Sequence, residues 1–188
     1  MLNYIGTQNI ETKRLLLRKF KVEDAEEMFE NWAKDPENIK FLQWNAHKDA
    51  NETRSIIKMW NEEYKDNKTY NWCITIKETK EIIGSIGTVE FFEDIECAEI
   101  GYVISKKHWN KGIMTEALGG VIKYLFLKVG VNRIQLKHDL DNLASGKVMI
   151  KNGLKREGVL RECYRNNKGK LRDMAIYSIL KSEFKEDF

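Results

Sequence analysis

Gly101-Tyr-Val-Ile-Ser-Lys-Lys-His-Trp-Asn-Lys-Gly-Ile-Met-Thr-Glu-Ala117 is the stretch on which the fold turns. It begins with apolar, strand-forming residues, passes through a polar loop holding one glycine, and runs into Met114, Ala117, Leu118, Val121, Ile122, Leu125, Phe126 and Val129. That spacing of three and four residues marks one face of a long helix, for which Gly130 supplies the stop. N–H groups in a first helical turn have no partner within the helix, and the helix dipole adds positive partial charge, so a phosphate or diphosphate is stabilised there. Gly112 removes the Cβ that would keep a phosphate from the backbone, and Lys111 and Thr115 add a charge and a hydroxyl. Neither GxxxxGK[ST] nor a GxGxxG following a strand occurs, which excludes two other nucleotide cradles. A lone glycine at such a turn also serves purely conformational ends.

Upstream, residues 71–77, 82–92 and 97–104 read as three strands of a meander, with Glu93-Asp94-Ile95-Glu96 as the second turn. Residues 10–20 read as a strand, and Glu23 and Asp24 suit the start of a helix striped by Ala25, Met28, Phe29, Trp32 and Ala33 and bounded by Pro36. Asp49 with Glu52 resembles a capping box opening a second helix with Ile56, Ile57 and Trp60 on its apolar side, which leaves Trp44 in the loop between. Downstream come a strand at 133–137, a short helix opening at Asn142, and strands around 160–164 and 174–180. The order βααβββαβαββ describes an α+β fold: a mostly antiparallel sheet with one strand-helix-strand crossover near its middle.

Residues 1–188 read as one domain, without repeats or linkers. The net charge of +3 comes from Lys and Arg interleaved with Asp and Glu, so nucleic acid is not an expected partner. Cys73, Cys97 and Cys163 form no paired motif, and His47, His108 and His138 lack metal-ligand spacing, so neither a disulfide framework nor a metal is expected. No secretory signal or membrane span is evident, and a cytoplasmic protein is expected.

Several spaced motifs then act together. The runs Ala98-Glu-Ile-Gly-Tyr102, Trp109-Asn-Lys-Gly-Ile-Met-Thr-Glu-Ala117, Asn142-Leu-Ala-Ser145 and Lys151-Asn-Gly-Leu154 resemble the GNAT acetyltransferases in their RimJ/RimL-type form. Glu11-Thr-Lys-Arg-Leu-Leu-Leu-Arg18, Glu23-Asp24 and Arg172-Asp173 fit the same branch, so the resemblance covers almost the whole chain. It implies the GNAT acyl-CoA N-acyltransferase fold, a central sheet with helices on both faces. It implies an acetyl-CoA-dependent enzyme acting on an amine acceptor such as a ribosomal or other protein N-terminus, and a homodimer.

For the site, the resemblance implies that Tyr102, Val103 and Ile104 offer backbone groups to pantetheine. The loop Asn110, Lys111, Gly112, Ile113, Met114 and Thr115, preceded by Trp109, would hold the pyrophosphate, with Asn142, Ser145 and Lys151 completing the cofactor site. An extended amide-bearing arm pairs with a strand edge like another strand, so the strands flanking it must splay. Met114 replaces a smaller family residue and shifts the burden onto Asn110 and Lys111. The tyrosine that many members carry on the short helix as proton donor is Met149 here.

Acetyl transfer to an amine needs a neutral nitrogen, a donor to the developing oxyanion and a proton for the departing thiolate. A backbone N–H near Val103 and the Ser145 hydroxyl are the candidate donors, with direct attack by the amine. Glu99 sits within an apolar strand, where burial would tune a carboxyl group toward accepting a proton; the alternative is that it pairs with a cation across the sheet. Glu90 is a second candidate base, and Trp44, Trp60 and Trp72 are candidates for the acceptor cleft or for core packing. A small-molecule amine acceptor and a non-catalytic acyl-CoA sensor remain as alternatives.

Overall fold

The segment expected as one N-terminal strand is two. In the computed structural model, which describes residues 2–185, β1 (Ile10–Glu11) folds back antiparallel on β2 (Leu15–Arg18). Thr12 causes the break. Its Oγ1 accepts from the Leu15 N–H at 3.1 Å while its own N–H donates to the Leu15 carbonyl at 3.0 Å, a local turn that competes with a continuous strand.

Arg18 ends β2 and forks onto both oxygens of Asp24, at 2.7 and 2.9 Å, tying the sheet to the first helical segment. That segment, α1 (Ala25–Met28), widens into a π-helical turn over Phe29–Ala33, and its predicted stripe is buried at Ala25, Met28, Trp32 and Ala33. Pro36 does more than end it. With Asp35 accepting from the Glu37 N–H at 3.0 Å, it opens a further turn, α2 (Pro36–Ile39). In α3 (Ala50–Glu63) Asp49 caps the Asn51 and Glu52 N–H groups, while Glu52 reaches back to Lys48 N–H, one residue earlier than a capping box requires.

The meander is β3 (Asn71–Ile76), β4 (Ile82–Phe92) and β5 (Cys97–Ile104). After it come α4 (Ile113–Tyr124, prolonged by a π-helical turn Leu125–Val129), β6 (Arg133–Asp139), α5 (Leu143–Lys151), β7 (Lys155–Arg165) and β8 (Leu171–Leu180). Gly130 stops α4 at φ +88°, as expected. The sheet order is β1-β2-β3-β4-β5-β6-β8-β7, and every pairing is antiparallel except β5 with β6, which α4 connects. β7 starts earlier than its apolar residues indicate, because it is an edge strand exposed along most of its length and its opening Lys155-Arg-Glu carries no burial pattern.

Strand alternation distributes the core between the two faces. Trp72 and Ile74 of β3 join Leu15, Leu17 and the stripe of α4, whose eight predicted residues are all 6% exposed or less. Cys73, between them, points the other way into Phe20, Met28, Trp32 and Ile57. No helix among the described residues is long and apolar enough to cross a membrane.

Across the far end of the sheet, Glu157 accepts from Arg133 at 2.8 and 2.6 Å and from the Ser178 hydroxyl at 2.6 Å. These bonds, Arg133 foremost, pull its pKa from the ordinary 4.5 down to about 2. A depressed carboxylate stabilises the fold fully above its unfolded value, and the contribution is lost as pH falls toward the folded one. The melting temperature is therefore expected to drop between about pH 4.5 and 2, and Glu157→Gln should shrink that drop in a calorimetric pH series. Identical pH slopes for the two proteins would contradict this linkage.

Candidate active site

β5 and β6 pair only over Cys97–Glu99 and Arg133–Gln135; beyond Glu99, β5 continues with β4 on one side alone. The register between β4 and β5 shifts between Thr88 and Glu90, leaving Val89 without an opposite residue and 63% exposed. A bulge raises local twist, which favours the separation of β5 from β6. The opening is a cavity of about 440 Å³ walled by Glu90, Glu99, Tyr102, Asn142 and Ser145 among others. A second cavity, of about 580 Å³, lies between α1, α3 and the sheet, and Leu42, Val89, Gly101 and Tyr102 line both.

Ser145 reaches the first cavity from the first turn of α5. Asn142 caps that helix by accepting from the Ser145 N–H at 3.3 Å, so the two residues the resemblance singled out are structurally one unit. The corner ahead of them is held by Asp139, whose carboxylate takes Arg172 at 2.6 and 2.7 Å and the Asp141 N–H at 2.9 Å. Burial opposes ionisation of Asp139, but these bonds outweigh it and hold the carboxyl group below its usual range. Under α5, Nδ1 of His138 donates to the Asp139 carbonyl at 2.8 Å, and a Cβ on Gly146 would fall 2.7 Å from its Nε2, so only glycine admits the imidazole there.

The Tyr102 hydroxyl lies 2.7 Å from Ser145 Oγ and 3.3 Å from the Ser145 carbonyl. Burial pushes this phenol up to about 12, so it stays protonated at neutral pH. Sequence reasoning valued Tyr102 only for its backbone. The hydroxyl pair depends on a strand meeting a helix more than forty residues away, and no local signal carries that.

Glu99 is buried and paired: Lys137 Nζ lies 3.0 Å from one oxygen and Gln135 Nε2 donates to the other at 2.8 Å. The partnered reading of Glu99 is the one the structure supports. Glu90, its cross-strand neighbour, is exposed and lines the same cavity. No group of three His, Cys, Asp or Glu side chains that could hold a metal occurs among the described residues. Cys163 is exposed at this cavity, whereas Cys73 is buried and pushed up to about 12.

At the other end of β5, Trp109 donates to the Ile104 carbonyl at 3.0 Å, and Asn110 and Gly112 adopt left-handed φ of +60° and +70°. Gly112 is the N-cap of α4 and no side chain caps the helix, which leaves first-turn N–H groups for an anion. A Cβ on Gly112 would have only Arg14 nearby, at 3.7 Å, so the approach is open. Ile113 and Met114 are each 6% exposed within the core. Most of the Met114 side chain is therefore taken up in core packing. Lys111 is exposed and Thr115 partly so, and Lys151 is exposed at the last turn of α5.

The residue missed here is Arg14. It donates to the Lys111 carbonyl at 3.0 Å and to Glu116 at 2.6 Å, while its own N–H and the Thr12 hydroxyl reach the other Glu116 oxygen at 2.7 and 2.6 Å. The β1–β2 turn thus clamps both the loop and the first turn of α4. Of the three tryptophans considered for the cleft, Trp44 and Trp60 line the second cavity, together with Trp32. Trp72 does not: it is fully buried, donates to the Gln8 carbonyl at 2.7 Å and meets Tyr124 edge-on at 5.5 Å, which corrects its assignment to the cleft.

Comparison with known proteins agrees with this fold. Residues 14–155 match the family described as Acetyltransferase (GNAT) domain. The chain is 34% identical over 177 residues to the uncharacterized N-acetyltransferase p20 of Bacillus licheniformis, covering 94% of this chain and 98% of that one. It is 27% identical to the [ribosomal protein uS5]-alanine N-acetyltransferase of Escherichia coli, with 80% of each covered. The crystal structure of a GNAT-family acetyltransferase from Bacillus anthracis superposes with a TM-score of 0.82 at 28% identity, over 94% of this chain and all of that one.

Proposed function

This chain belongs to the GNAT acetyltransferase family and uses acetyl-CoA, and from that premise we propose that it acetylates the α-amine at a protein or peptide N-terminus. The observation that carries the reading is a single cavity holding Glu90 on one strand and the Tyr102–Ser145 hydroxyl pair beside the β5–β6 gap. The uS5-alanine relative supports the class of acceptor.

Acetyl-CoA supplies a thioester carbonyl. The splayed edge of β5 receives the pantetheine arm, and the uncapped start of α4, clamped by Arg14, receives the pyrophosphate. Glu90 holds the incoming ammonium and takes its proton. The neutral nitrogen then attacks the carbonyl carbon, forming the C–N bond as the C–S bond breaks, and a backbone N–H near Val103 stabilises the oxyanion. The Ser145 hydroxyl, 2.7 Å from the Tyr102 hydroxyl, gives its proton to the departing sulfur, and the second proton shed by the acylated nitrogen restores the hydroxyl pair. In this reading Glu99, held by Lys137 and Gln135, shapes the wall, and the base is Glu90. A protein α-amine, with an unperturbed pKa of about 7.7–8.0, is already partly neutral at pH 7, so this modest equipment suffices; a lysine at about 10.4 is not.

A thiol-release assay with acetyl-CoA tests the proposal, using peptides with a free N-terminus, the same peptides blocked at the N-terminus but carrying an internal lysine, and polyamines and aminoglycosides. Turnover confined to free N-termini is expected. Turnover confined to polyamines or amino sugars would replace this reading with the small-molecule one.

A further inference from the structure

Resting on that acceptor reading, we infer that the acetylated α-amine is one flanked by an aromatic side chain, as in an N-terminal Phe, Tyr or Trp, and that the second cavity holds the ring. The two cavities are neighbours that share Leu42, Val89, Gly101 and Tyr102 in their walls, so an acceptor whose amine sits beside Glu90 and Ser145 has the second within reach of its side chain. Its walls are Met28, Trp32, Trp44, Ile56, Met59 and Trp60, a set of flat and soft apolar side chains suited to a planar ring.

Charge is confined to the rim. Glu63 and Lys68 are both exposed, and Lys68 is paired with Glu93 at 2.6 Å. His47, whose Nδ1 lies 2.8 Å from Thr53 Oγ1, has its pKa lowered by burial, with Glu52 opposing, and is neutral at pH 7. Against the apolar wall a second ammonium of a polyamine or amino sugar would lose its hydration, and Glu63, the carboxylate that lines this cavity, is exposed at the rim. A cavity of about 580 Å³ is also poorly filled by the side chain of Ala or Ser.

The wall is tied to the rest of the fold. Asn167, in the β7–β8 turn, donates its N–H to the Leu42 carbonyl at 3.0 Å and its side-chain amide to the Ile39 and Trp44 carbonyls at 3.3 Å each. The segment carrying Leu42 and Trp44 is thereby held from outside the cavity, which lowers the ordering cost of filling it.

The test compares peptides identical after the first residue, with Phe, Tyr, Trp, Ala or Ser at position one, alongside spermidine. The kcat/KM for aromatic peptides is expected to exceed that for Ala by about tenfold or more, as a buried ring should give. Calorimetry on the CoA-saturated protein with phenylalaninamide and alaninamide reads the same preference without chemistry. Trp44→Ala should reduce the aromatic preference while leaving the Kd for CoA unchanged. Met59→Glu, at a residue 49% exposed and so tolerant of substitution, should weaken phenylalaninamide and strengthen spermidine. Equal or better use of Ala peptides, or equal binding of the two amides, overturns the inference while transfer itself stands. CoA binding without transfer to any amine removes the acceptor reading instead, and the calorimetric preference then still decides what the cavity takes.

Discussion

Ser145→Ala is expected to lower kcat by about a hundredfold, within the range for loss of a positioned proton donor, with the KM for acetyl-CoA nearly unchanged. The reason is geometric. Ser145 is 9% exposed on the cavity wall, fixed by the Asn142 cap below it and by the Tyr102 hydroxyl 2.7 Å away. Removing Oγ leaves the α5 backbone in place, since the cap uses the Ser145 N–H rather than its side chain. Tyr102→Phe should produce a smaller loss, and the double variant should fall no further than Ser145→Ala, because the phenol acts through the serine. Steady-state thiol release on the three variants reads this directly. A larger loss for Tyr102→Phe than for Ser145→Ala would make the phenol the donor and the serine its support.

Trp72→Ala is expected to destabilise the protein by about 3–5 kcal/mol, the cost of deleting a large core aromatic. Trp72 is fully buried between β3 and α4, and its loss also strands the Gln8 carbonyl that its Nε1 now satisfies at 2.7 Å. For a domain of this size, the melting temperature should fall by roughly 6–20 °C. Below the new melting point the Kd for CoA and the KM for the amine should be unchanged, in contrast to the cavity tryptophan Trp44. An unaltered melting temperature with a raised amine KM would return Trp72 to the cleft.

That contrast shows where sequence reasoning reached its limit. Trp72 and Trp44 are alike as residue types, and period-two alternation says only that Trp72 and Cys73 face opposite sides of the sheet. Which side holds α4 and which holds the cleft depends on how the crossover packs. The π-helical turns at Phe29–Ala33 and Leu125–Val129 were equally illegible, since they keep the apolar stripe nearly intact. The Thr12 turn was hidden because the residues around it are all compatible with a strand.

What the sequence determined by itself is whatever local chemistry encodes. It carries the order of strands and helices through hydrophobic period, the stop at Gly130, the cap at Asp49, and the glycine-bearing loop ahead of α4, because each depends on residues within a few positions of one another. Only the tertiary structure decided how distant groups meet. It brought the Tyr102 phenol to Ser145, set Lys137 and Gln135 on Glu99 while Glu90 stayed exposed, and placed Arg14 against the Lys111 carbonyl and Glu116. Contacts made across strands and between a strand and a helix depend on register, bulge position and the point where β5 leaves β6, and those are properties of the packed sheet that no single segment contains.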